Sequence, residues 1–95
     1  MPAGPSPTER LAEIRRRIER ALVYPPLARA RGLTGETEVE FTIGADGHPV
    51  GLRTVRSAGS ELLDRAAEQA VRDAAPFPPL YGWLAIPVRF DLLDR

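Results

Sequence analysis

The chain has 95 residues, 43% of them hydrophobic and 27% charged, with thirteen arginines balancing thirteen acids, one histidine and no cysteine. That describes one small globular domain and excludes disulfides, thiolate metal sites and any histidine-rich centre. Neutral overall charge without a basic face interleaved with aromatics also speaks against nucleic-acid binding, and no apolar run reaches the ~18 residues of a membrane-spanning helix.

The charge is unevenly placed: residues 1–34 hold seven arginines and three acids, and the remainder six arginines and ten acids. Residues 1–7 are rich in Pro, Gly and Ser and read as a linker stub, leaving 8–95 as the domain. They lack the apolar stretch of a secretory signal, so any anchor is expected upstream. Ser6-Pro7-Thr8-Glu9 is a helix start: Ser6 caps, Pro7 needs no N–H in the first turn, and Glu9 completes a capping box. Leu11, Ile14, Ile18 and Leu22 follow at helical spacing, with Arg15, Arg16, Arg17 and Arg20 on other faces. Tyr24-Pro25-Pro26 stops this helix, because a residue before proline is pushed from the α region. A short second helix, Leu27 to Arg31, is opened by Pro26 and closed by Gly32.

Residues 35–43 alternate: Thr37, Val39, Phe41 and Ile43 share one face, and Glu36, Glu38, Glu40 and Thr42 the other. After a turn at Gly44-Ala45-Asp46-Gly47, a second strand is expected from His48 to Val55. Pairing Ile43 with His48 sets Phe41 against Val50 and Val39 against Leu52 on the buried face, and Glu38 against Arg53 on the exposed one. Ser60 caps a third helix, Glu61 to Ala75, whose apolar stripe includes Leu62, Leu63, Ala66, Ala67, Ala70, Val71 and Ala74. Pro76-Phe77-Pro78-Pro79 ends it. A last strand, Leu84 to Leu92, turns Ile86, Val88, Phe90 and Leu92 inward and Arg89 and Asp91 outward. The expected fold is α+β: a three-stranded antiparallel sheet with helices packed on one face, the first strand in the middle.

No catalytic constellation emerges. His48 follows a turn and reads as a solvated polar residue, with no partner for a Ser-His-Asp arrangement. Glu36, Glu38 and Glu40 stand about 7 Å apart along one face, a spacing compatible with a cation site. A solvated face neutralised by Arg53 is the simpler reading, with Glu38 and Glu40 beside Arg53 and Arg89. Asp46-Gly47 lacks the repeated acids of a calcium loop, and no helix follows Gly44-x-x-Gly47 to make a phosphate loop. Tyr24-Pro25-Pro26 and Pro76-Phe77-Pro78-Pro79 could be read by polyproline-binding domains, but the favoured reading is that they pin chain reversals where helices meet the sheet, with Tyr24 and Phe77 filling the ends of the core. Trp83 is expected to cover the edge of the sheet.

In their order and spacing, several segments resemble the C-terminal domain of the TonB family. They are Tyr24-Pro25, Ala28-Arg29-Ala30-Arg31-Gly32-Leu33-Thr34-Gly35, Val39-Glu40-Phe41-Thr42-Ile43 and Asp46-Gly47. Val55-Arg56-Ser57-Ala58-Gly59, Leu63-Asp64-Arg65-Ala66-Ala67, Ala70-Val71-Arg72, Pro76-Phe77-Pro78-Pro79 and Pro87-Val88-Arg89-Phe90 follow. The resemblance covers about residues 18–92; Gly51 inside the second strand and the short stretch between Pro79 and Leu84 depart from it.

The resemblance implies a periplasmic, non-enzymatic domain of a protein anchored in the bacterial inner membrane, without cofactor or metal. Such a domain grips the TonB box, a short segment of TonB-dependent outer-membrane transporters. It passes on force drawn from the proton gradient through ExbB and ExbD, whose contacts are implied for the N-terminal anchor. A homodimer formed by strand exchange stays open. The alternative is a TolA-like envelope scaffold, whose related fold binds proteins without a transporter. Pro87 marks the last strand as an edge, since proline is tolerated where its missing N–H would have faced solvent. The peptide-binding edge is therefore expected to be Pro87, Val88, Arg89, Phe90, Asp91 and Leu92, with Tyr24 and Pro25 as additional contacts. Binding there would be strand addition.

Overall fold

The computed structural model describes residues 4–92; residues 1–3 of the expected linker and 93–95 of the expected domain lie outside the described residues. Helix α1 spans Pro7–Ala21, α2 Pro26–Ala30 and α3 Glu61–Ala74; the strands are β1 Gly35–Ile43, β2 Pro49–Arg56 and β3 Leu84–Phe90. The sheet is antiparallel in the order β2-β1-β3, with β1 central.

Each helix begins as its local chemistry dictates. Ser6 Oγ accepts from the Glu9 amide at 3.2 Å while the Ser6 amide donates to Glu9 Oε1 at 2.8 Å, satisfying two amides that the first turn leaves without partners. The α1 stripe then buries Ile14 and Ile18 completely. Ser60 caps α3, which buries Leu63, Ala67, Ala70 and Val71. Three of the four are small or β-branched, and α3 packs against both α1 and the inner face of β1 and β2. Val39, Phe41, Ile86, Val88 and Phe90 supply that face of the core.

Two distant motifs meet at one end. Gly47 sits at φ +85°, and a Cβ there would stand 2.9 Å from Pro76 Cβ and 3.0 Å from the Phe77 carbonyl oxygen. The hairpin tip therefore lies flat on the segment after α3, where the Phe77 amide donates to the Gly47 carbonyl at 2.8 Å. Only glycine permits both this backbone angle and this approach. Phe77 is buried beside Phe41, ring centroids 5.7 Å apart.

The β1–β2 register departs from expectation. Phe41–Val50, Val39–Leu52 and Glu38–Arg53 are not partners; the pairs are Ile43–Pro49, Thr42–Val50, Glu40–Arg53, Val39–Thr54 and Glu38–Arg56. Shifts between Glu40 and Thr42 and between Glu38 and Val39 each advance β2 by one residue, as bulges do. Gly51, at φ +68°, supplies the left-handed residue beside the first. Val50 is exposed rather than buried because the turn already pairs Ile43 with Pro49 instead of His48, which sets Val50 opposite Thr42 of the open face. The last strand also ends earlier than expected: Asp91 and Leu92 follow β3, and Leu92 is half-buried.

Candidate functional site

A three-stranded sheet has two free edges, here the outer sides of β2 and β3. The β3 edge is the regular one. Its residues alternate strictly between buried and exposed, Leu84, Ile86, Val88 and Phe90 inward and Ala85, Pro87 and Arg89 outward. The ladder with β1 runs from Gly35–Phe90 to Phe41–Leu84 without a shift. Pro87 stands opposite Glu38 and Arg89 opposite Glu36. Of the expected edge residues, Val88 and Phe90 turn their side chains into the core, while Pro87, Arg89 and Asp91 stay exposed.

Tyr24 is placed behind this edge rather than along it. Its ring meets Phe90 edge-on, centroids 5.5 Å apart; its hydroxyl donates to the Leu33 carbonyl, and Arg29 lies 4.6 Å over the ring. Pro25 lines a shallow groove against Ala66, Gln69 and Ala70 of α3.

The glutamate stripe is neutralised by arginines of β2 alone. Glu40 pairs with Arg53 at 2.8 Å and Glu38 with Arg56 at 3.2 Å. Arg89, expected beside them, faces Glu36 across the ladder instead, and among the described residues neither joins an ion pair. Trp83, expected at the sheet's edge, lays its indole against Gly51 of the edge strand β2, whose added Cβ would lie 2.9 Å from the ring. Glycine is what lets the ring lie there.

Two features were not visible in the sequence. The first is a groove of about 230 Å³ running along the β3 edge, walled by Arg15, Ile18 and Glu19 of α1 and Leu22 just after it on one side and Pro87 and Arg89 on the other. The i, i+4 spacing of Arg15 and Glu19 was the only local signal, and it is equally that of a solvated helix face. The second is a carboxylate knot. Asp64 accepts from Thr37 Oγ1 at 2.8 Å, from the Ala58 amide at 2.9 Å and from Ser57 Oγ at 2.5 Å. Burial raises its pKa, but these bonds to Ser57, Ala58 and Thr37 outweigh that and hold it below the ordinary value.

The family profile described as Gram-negative bacterial TonB protein C-terminal matches residues 20–92. Protein TonB of Helicobacter pylori (strain J99) is 37% identical over 89 residues, covering 90% of this chain and 32% of that protein. Protein TonB of Pasteurella multocida is 36% identical over 85 residues, 85% of this chain and 33% of that one. The chain thus spans about a third of the length of these relatives. Among solved structures, the H. pylori TonB C-terminal domain superimposes with a TM-score of 0.82 at 35% identity, covering 98% of this chain and 89% of that one. The Pseudomonas aeruginosa domain gives 0.64 at 31%, covering 78% and 81%.

Proposed function

This chain belongs to the TonB C-terminal domain family, and from that premise we propose that it is the periplasmic, energy-transducing end of a longer envelope protein. It grips the TonB box of outer-membrane transporters by adding that peptide to the free edge of β3. The upstream part would carry the membrane anchor and the contacts with ExbB and ExbD, and residues 1–7 would be the end of the linker joining it to the domain.

The observation that carries this reading is the open, regular β3 edge with proline at its centre. Backbone amides alternate sides along a strand. Pro87 has none to donate, and the ladder loses nothing if that position faces outward. Ile86, Val88 and Phe90 then bond to β1, and Arg89 offers its groups outward. A proline in an edge also hinders pairing with a second copy. A few main-chain bonds, each about 0.5–1.5 kcal/mol net, minus the ordering of the peptide, give affinity on the order of micromolar. A grip that must let go is served by weak binding.

The test is an NMR titration of the domain with TonB-box peptides from the same genome. The amide of Arg89 is expected to shift, and Arg89→Pro, which removes an outward donor, is expected to abolish uptake while the thermal melt is unchanged. Shifts confined to β2, or full uptake by Arg89→Pro, would overturn the assignment.

A further inference from the structure

The edge has two sides, and they differ. A strand added to β3 sends alternate side chains to opposite faces of the sheet, successive ones on one face about 7 Å apart. On the open face they meet no wall, because no helix covers it. On the other face they meet α1. There the groove has an apolar floor: Ile18 and Val88 are buried, and Leu22 is half-buried beside them.

Charges ring this floor in an unusual state. On the neighbouring part of the open face the glutamates are paired, Glu38 with Arg56 and Glu40 with Arg53, and on α1 Glu13 pairs with Arg17. Around the groove they are not. Arg15 and Glu19 stand one turn apart on the helix lip, Glu36 and Arg89 on the strand side, and among the described residues none of the four joins an ion pair. Four unpaired charges of both signs around an apolar floor, continuous with an open backbone edge, are the chemistry of a slot for an extended peptide of alternating character.

Building on the proposed strand addition, we infer that the groove between α1 and β3 reads the peptide's side chains: it seats one aliphatic side chain from the row facing the helices, and Arg15 and Glu19 sort the charge of the residues beside it. A cavity of about 150 Å³ accepts a group the size of benzene, so a groove of about 230 Å³ has room for a valine or leucine side chain, and its apolar floor disfavours a polar one that finds no partner there. The outward row of the peptide is left unread. Selectivity thus has a period of two along the peptide, while the main-chain bonds are blind to sequence.

The test uses the whole 95-residue chain and one TonB-box peptide, with asparagine substituted at each peptide position in turn and affinity read by calorimetry. Positions of one parity are expected to lose about tenfold or more, the scale of a polar group set without a partner against an apolar floor. The slot is then filled from the protein side with Glu19→Trp, an exposed position whose change leaves the melt intact. That variant is expected to weaken the parent peptide by about tenfold, and Arg15→Glu to reverse the preference between peptides differing only in an acidic or basic residue next to the seated one. Losses without parity, or an unaffected Glu19→Trp while the Arg89 amide still shifts on titration, would overturn the slot and leave the edge standing. If the parent peptide shifts no amide of β3, the strand-addition reading fails, and the slot with it.

Discussion

β2 and β3 are both edge strands of one sheet, paired to opposite sides of β1, and they are built by opposite rules. β2 carries two register shifts, a left-handed glycine and an indole lying across it. β3 has an unbroken ladder and strict alternation, with one proline as its only irregularity. A bulged, twisted edge presents its free amides at uneven spacing and makes a poor template. A straight edge is a template. The comparison teaches that one sheet can close one side to partners and leave the other available, with the backbone alone.

Four measurements would break or sharpen that contrast. Val88→Pro, next to the tolerated Pro87 but on the side facing Thr37 of β1, is expected to cost about 3 kcal/mol or more, read in a chemical melt. A loss below about 1 kcal/mol would mean that the outward and inward positions of β3 are reversed.

Removing the knot that ties the end of β2 to α3 comes next. Asp64→Ala leaves the fully buried Thr37 hydroxyl without its partner and is expected to cost about 2–3 kcal/mol at neutral pH. The sign with pH follows from the lowered pKa. Asp64 contributes in full above its ordinary value of 3.8, and the contribution is lost as pH falls through its folded-state value. Below that, the gap between variant and parent should narrow as the charge-dependent part is lost; a gap that stays constant into acid would show that the charge is irrelevant.

Gly51→Ala tests the bulge of β2. A left-handed backbone costs a residue with a Cβ about 1–2 kcal/mol, and the new methyl would push the Trp83 ring aside. The expected signature is a loss of that size accompanied by a change in tryptophan fluorescence, with peptide uptake at β3 intact. The smallest effect is reserved for Glu38→Gln, which removes a largely exposed pair with Arg56 and should shift the melt by less than about 1 kcal/mol.

The same contrast explains what could be read in advance. β3, α1 and α3 were legible because periodicity and caps are local: Ser6 with Glu9, Ser60 before Glu61, Ile86-x-Val88-x-Phe90. The register of β2 was not, because the turn pairs Ile43 with Pro49 rather than His48 and each of the two bulges moves every later partner by one residue more, so Arg56 rather than Arg53 reaches Glu38. Pro87 exposed the edge in the sequence, since a missing donor has a direction. The wall of the groove could not be read, because Arg15 and Glu19 acquire a role only once α1 is laid beside β3. Asp64 was hidden likewise: its Thr37 partner lies 27 residues upstream.

The order β2-β1-β3 also sets a sequence of events in time. β1 meets β2 across a five-residue connection, Gly44 to His48, whereas Phe41 must wait for Leu84, with α3 in between. Closing the short loop is the faster step, and long-range pairing comes late. Until β3 arrives, the growing chain shows an unpatched flank on β1, lined by Thr37 to Phe41, which the C-terminal strand must claim before anything else does. The strand that later receives a guest is itself the last to be seated.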